Sequence, residues 1–291
     1  VKAAVQFSEH FRAMGTDIDV IIEAEERPLD GFIAVRLLFE QQEERFSRFR
    51  AGSLVSRLNA GETVADPWLT AVLELSLEAF GQTGGLFNPM ILPALTRAGY
   101  DRDFADVSGG AAVREPAPDA SACIERAGDG WRLTQGAIDL GGIVKGWTAD
   151  LAVEHLAGRY GGVFVNAGGD IRCAGSEEGS SGWVVDVDGP GGSAAWAGTI
   201  SGAIATSSVL KRRWPTASGA AAHHLIDPRT GMPAESPFVQ VSVRAGSCTW
   251  AEVWAKAVLI GGHAGLDLAR AYGLPVLALA ADGSRTVSGE W

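Results

Sequence analysis

The sequence predicts a mixed α+β fold, and three observations carry that prediction. Segments of alternating or unbroken apolar character interleave with segments of helical apolar spacing, glycine-rich turns separate the two, and no repeat, long linker or low-complexity tail interrupts them. With 291 residues and 46% apolar content the chain can bury a substantial core, and a single domain over 1–291 is the simplest organisation.

Residues 17–22 alternate and then run apolar, as a strand does. Asp30 is the expected N-cap of a long helix reaching about residue 48, with Phe32, Val35, Leu38, Phe39, Phe46 and Phe49 at helical spacing. Asp66-Pro67, a cap residue followed by proline, starts a second helix that runs to Gln82 and stops at Gly84-Gly85. Residues 101–136 are broken by Gly109-Gly110, Pro116 and Pro118 and read as short strands and turns. A short apolar strand at 138–140 feeds a helix that follows Gly141-Gly142. Residues 163–166, 183–187 and 239–244 read as strands, 249–260 and 263–272 as helices, and 276–280 as a late strand.

The formal net charge of -11 argues against partners that are themselves polyanions, so neither nucleic acid nor an anionic membrane surface is expected. A pocket that is locally positive can still hold a dinucleotide. Cys123, Cys173 and Cys248 are far apart, without the spacing of a disulfide framework or a cysteine-rich metal site, and read as small buried hydrophobes. No apolar run reaches the ~18 residues of a membrane span. Residues 1–291 carry neither a signal-peptide pattern nor a lipid-attachment cysteine near their start, so a cytoplasmic or membrane-peripheral place is expected.

The glycines concentrate beside polar residues at element junctions. In Ile138-Asp139-Leu140-Gly141-Gly142-Ile143-Val144-Lys145-Gly146, paired glycines let backbone approach a ligand and the following helix start offers amides to an anion. Lys145 sits in the first turn against the preference of the helix dipole, which an anionic ligand opposite would explain; a tight turn with a surface lysine is the other reading. Asn166-Ala167-Gly168-Gly169-Asp170-Ile171 is either a second ligand-facing turn or a plain hairpin. His223 and His224 precede the rigid turn Asp227-Pro228-Arg229-Thr230-Gly231, where a histidine can be structural or a general base.

Seven motifs in order resemble those of the ApbE family of FAD:protein FMN transferases, over nearly the whole chain. They are Met14-Gly15-Thr16; Phe46-Ser47-Arg48-Phe49 with Ser53, Ser56, Arg57, Leu58 and Asn59; Gly84-Gly85-Leu86-Phe87-Asn88-Pro89; the 138–146 run; 166–171; Ala205-Thr206-Ser207-Ser208; and 224–231. The resemblance implies a T-fold-like mixed α/β domain with glycine-rich ligand loops, in which Met14, Phe49, Leu86, Phe87, Asn88, Asp139 and Lys145 contact FAD. Phe49 would stack on a ring, although helical spacing alone would make Phe49 and Phe87 core residues. It also implies His224 as the base for a threonine or serine hydroxyl of an acceptor redox protein, with FMN attached there and AMP released.

Such proteins bind Mg²⁺ through the carbonyl of the residue matching Gly142 and through an Asp and a Thr one helical turn apart. Here those two positions are Glu252 and Lys256. Glutamate can still ligate a cation, but an ammonium has donors only and repels it, so Lys256 is expected to take over the metal's electrostatic role with Glu252 as partner. An ordinary surface Glu–Lys pair is the bland alternative. The basic run Lys211-Arg212-Arg213-Trp214 either guides the AMP half or an acidic acceptor segment, or is a solvated loop. Two rival functions share the same residues: an FAD pyrophosphatase giving FMN and AMP, and an FAD-binding protein without catalysis.

Overall fold

In the computed structural model, which describes residues 4–102, 104, 107, 109–176, 181–192, 194–216 and 221–291, the chain opens with a hairpin of β1 (Val5–Ala13) and β2 (Thr16–Ala24). Its two-residue turn places both Met14 (φ 51°) and Gly15 (φ 67°) in the left-handed region. That matches the turn to strand twist but is costly for methionine, a residue with a side chain to accommodate. Helix α1 (Leu29–Phe46) follows Pro28, and Asp30 is not its cap. The Asp30 carboxylate lies inside the first turn and is bound by the Arg159 guanidinium and the Tyr160 hydroxyl. The helix also ends before residue 48: Ser47 is extended, so Phe49 leaves the apolar stripe and is 46% exposed.

Helix α2 (Leu54–Asn59) is capped by Ser53, and α3 (Pro67–Gln82) by Asp66, whose carboxylate accepts from the amides of Trp68 at 2.8 Å and Leu69 at 3.0 Å. A 3₁₀ turn (Pro89–Ile91) leads into α4 (Leu92–Arg97). Within the mixed region lie α5 (Ala120–Cys123) and a hairpin of β3 (Ile124–Ala127) and β4 (Gly130–Leu133). Residues 138–140 form no strand, in contrast to the sequence reading. Asn59 takes a strand neighbour's place, donating from Nδ2 to the Ile138 carbonyl at 3.0 Å and accepting the Ile138 amide at 2.8 Å. Helix α6 (Val144–Leu156) starts directly after the paired glycines.

Next come the hairpins β5 (Gly162–Ala167)/β6 (Asp170–Gly175) and β7 (Trp183–Asp188)/β8 (Ala194–Ile200), then β9 (Gly202–Ser208). Two small ribbons, β10 (Arg213–Pro215)/β11 (Ala221–His223) and β12 (Ile226–Asp227)/β13 (Met232–Pro233), precede β14 (Phe238–Ala245). Helix α7 (Cys248–Ala271) breaks at Gly262 (φ 58°, ψ -133°), which divides it into the two helices read from the sequence, and β15 (Val276–Ala280) and β16 (Arg285–Ser288) complete the chain.

The main sheet runs β1-β2-β5-β6-β9-β14-β15-β16, antiparallel throughout and in chain order. Helices α1, α6 and α7 cover one face, burying Ile18, Val20, Phe32, Phe39, Val153 and Val165. The β7/β8 hairpin packs Trp183, Val185 and Ile200 onto the other side with Cys173 and Leu277. A further apolar cluster joins α2 and α3 to Ile138, Leu140, Trp147 and Val253, and so seats the glycine-rich turn on a rigid base. The three cysteines are buried thiols.

Candidate active site

A cleft of about 980 Å³ opens where the turns of β1/β2 and β5/β6 meet the start of α6 and the middle of α7. Ten of the eleven residues singled out from the sequence line it: Met14, Phe49, Leu86, Phe87, Asn88, Asp139, Gly142, Lys145, His224 and Lys256. The eleventh, Glu252, is fully buried and lies beneath the two lysines.

One wall is a charge cluster. Lys145 Nζ contacts Glu252 Oε1 and lies 2.8 Å from Asp170 Oδ2; Lys256 Nζ donates to the same Glu252 oxygen at 2.9 Å. The other glutamate oxygen accepts the Gly146 amide at 2.8 Å, so Glu252 also serves the uncapped start of α6. Burial alone would raise the Glu252 carboxyl, but Lys145 and Lys256 outweigh it and hold it down at about 2. Burial and the Glu252 charge push Asp170 up against the pull of Lys145. Burial would lower the Lys145 ammonium, yet Asp170 and Glu252 raise it above its ordinary value, so it stays charged.

The glycine turn is fixed from several sides. Asp139 accepts the Gly141 amide at 2.7 Å and pairs with Arg48 Nε at 2.6 Å. The Arg48 guanidinium lies 4.2 Å from the Phe49 ring centroid and 4.7 Å from that of Tyr100, inside stacking range of both. Phe49 is thus a cleft-wall ring rather than a core residue, whereas Phe87 and Leu86 are buried with only an edge on the cleft. Asn88 engages both ends of its amide with main chain, accepting from Met90 N at 2.9 Å and donating to the Pro118 carbonyl at 3.0 Å. The Met14 amide donates to Glu43 Oε2 at 2.7 Å, which anchors the strained turn.

His224 lines the same cleft as these charges. Burial lowers its pKa well below the ordinary 6.5, and the positive Arg212, Lys256 and Lys145 lower it further, so the imidazole is neutral near pH 7. Its Nδ1 is shielded and has no hydrogen-bond partner among the described residues. His223 is occupied differently, with Nε2 3.1 Å from the Ala234 carbonyl oxygen. The basic run divides: Lys211 and Arg212 line the cleft, Arg212 reaching the Gly15 carbonyl at 3.3 Å, while Trp214 is buried and donates to the Ala98 carbonyl.

The magnesium seat implied by the resemblance does not fit these residues. Both oxygens of Glu252 are taken by donors, Lys256 offers no lone pair, and the lysine side chain runs beside Gly142, its Cε 3.4 Å from where a Cβ would stand. Among the described residues no three His, Cys, Asp or Glu side chains gather as a cation's ligands would. Sequence reasoning gave no role to Asp170, Arg48, Glu43 or Asn59. All but Glu43 lay inside or next to the quoted motifs, and their partners became visible only with the fold.

Residues 14–278 match the model of the ApbE family. A curated FAD:protein FMN transferase of Treponema pallidum is 30% identical over 260 residues, covering 78% of this chain and 70% of that protein. One of Vibrio cholerae is 31% identical over 146 residues, 48% of this chain and 43% of that protein. In fold, the chain is similar to the ApbE protein of Thermotoga maritima (TM-score 0.87, 23% identity, 98% of this chain and 97% of that one). It is also similar to the apo flavinyl transferase ApbE of Pseudomonas stutzeri (TM-score 0.83, 20% identity, 98% and 95%).

Proposed function

Because the chain belongs to the ApbE family, we propose that the cleft walled by Lys145 and His224 is where it holds FAD and cleaves it. The protein is an FAD:protein FMN transferase. The acceptor is a protein side-chain hydroxyl, threonine or serine, of a redox protein.

The observation that carries the site assignment is a permanent ammonium beside a glycine turn, in the same cleft as a neutral imidazole. A diphosphate needs cationic neutralisation and close backbone, which Lys145 with Gly141-Gly142 supplies; attack on phosphorus needs a base that is unprotonated at working pH, which His224 supplies. The hydroxyl oxygen attacks the phosphorus of the FMN half. The new O–P bond forms as the P–O bond to the AMP phosphate breaks, AMP departs with that electron pair, and the hydroxyl proton passes to the His224 imidazole. Phe49, exposed and backed by Arg48, offers a flat face to a flavin or adenine ring. Lys211 and Arg212 at the lip add positive charge for the AMP half.

Incubation with FAD and a threonine-bearing acceptor protein tests this reading. An acceptor heavier by one FMN residue supports transfer. Free FMN and AMP without adduct would instead make water the acceptor, and intact FAD would leave a binding protein.

A further inference from the structure

The geometry points to Lys256 as a built-in replacement for a divalent cation, so that this chain neutralises and splits the FAD diphosphate without a bound metal. The inference rests on the transferase reading above and adds to it the source of the second positive charge.

Three observations carry it. First, the ammonium is fixed: Lys256 lies one helical turn from Glu252 on α7 and donates to Glu252 Oε1 at 2.9 Å, while its methylenes pack against Gly142. Second, it faces the cleft, as Lys145 does, so two ammoniums share one carboxylate oxygen and point at one volume. An ammonium has three protons; those that Glu252 does not take remain for phosphate oxygens. Third, the arrangement excludes a cation, because each oxygen of Glu252 already accepts a hydrogen bond and Asp170 is paired with Lys145. A cation entering here would have to displace an ammonium from a buried carboxylate.

The role differs from that of Lys145. Two buried carboxylates, Glu252 and Asp170, lie against Lys145 and, when both are ionised, outweigh its single positive charge. Lys256 brings the cluster to electroneutrality before FAD arrives, so neither carboxylate repels the incoming diphosphate.

The test uses the full chain treated with EDTA. Mn²⁺ is titrated in and followed by EPR, FAD binding is followed by flavin fluorescence, and FMN transfer is followed by acceptor mass. The native chain is expected to show no tight Mn²⁺ site, and to bind FAD and form adduct equally in EDTA and in millimolar Mg²⁺. Lys256→Thr is expected to lose about a hundredfold in turnover in EDTA, to gain a tight Mn²⁺ site, and to recover turnover with Mg²⁺. Lys256→Met, which keeps the packing but has no charge or ligand atom, should show the loss without the recovery. A tight Mn²⁺ site in the native chain, an Mg²⁺ requirement for its turnover, or a threonine variant as active in EDTA as the native chain would overturn the inference. If a variant does not fold, the native Mn²⁺ titration decides alone. Failure to transfer FMN with or without Mg²⁺ would defeat the transferase reading, while the Mn²⁺ result would still judge the lysine.

Discussion

Lys256 Nζ donates to Glu252 Oε1 at 2.9 Å across one turn of α7, on the oxygen that Lys145 also contacts. A fully buried glutamate is stable there because it is charged and shared. Glu252→Gln leaves two ammoniums with too little counter-charge and should cost about 3–5 kcal/mol in urea unfolding. Asp170→Asn should cost less, because Asp170 is the carboxylate already pushed towards its neutral form. Equal losses would show that the two share Lys145 evenly.

Acid should act first on His223 and His224, both held below the ordinary 6.5 by burial, and most strongly on His224. Its folded-state pKa lies well below 6.5, so below pH 6.5 the unfolded chain takes up a proton that the folded imidazole refuses, and stability falls with pH. Glu252 adds to the loss only at lower pH, as the pH falls from its ordinary 4.5 towards about 2. Unfolding free energy measured between pH 7 and 5 should decline in the native protein and decline less in His224→Gln.

As the base proposed above, the same imidazole should set the pH dependence of turnover. A base that stays neutral below pH 6.5 keeps FMN transfer level through that pH, and turnover should bend downward only at a lower value. His224→Ala should lose about 10²–10⁴ in turnover while retaining FAD binding. A profile that breaks at 6.5 or above would mean another group accepts the proton.

Asn59 should act as a positioning residue for the glycine turn. Removing its amide orphans the buried amide and carbonyl of Ile138, immediately before Asp139 and the glycine turn. Asn59→Ala should lose about 2–3 kcal/mol of stability and weaken FAD binding. The pH at which turnover bends should not move, since His224 is untouched.

Gly168 tests the facing turn. It holds φ 68°, and an added Cβ would collide with Thr16 Oγ1. Gly168→Ala should therefore cost about 1–3 kcal/mol, visible as a lower melting temperature.

Much of this was legible in the sequence where chemistry is local. Asp66-Pro67 marked the start of α3, the 276–280 run marked β15, and the glycine-rich motifs marked turns that line the cleft. The misreadings arose where a distant partner overrode a local signal. Asp30 looked like a cap but is claimed by Arg159 and Tyr160, more than a hundred residues away. Residues 138–140 looked like a strand, but Ile138 is bonded by the Asn59 side chain, Asp139 N donates to the Pro89 carbonyl, and the Leu140 carbonyl accepts from the start of α6. The Glu252–Lys256 spacing was visible, and its surface-pair reading fails because Glu252 is buried, which no i, i+4 pattern can report.

The most direct test is a crystal structure of the protein with FAD bound. The account predicts diphosphate oxygens within hydrogen-bond distance of Lys145 Nζ and Lys256 Nζ, along the Gly141-Gly142 backbone, with the phosphorus of the FMN half accessible from His224. FAD bound elsewhere, or in the cleft with its diphosphate turned away from both ammoniums, would contradict it.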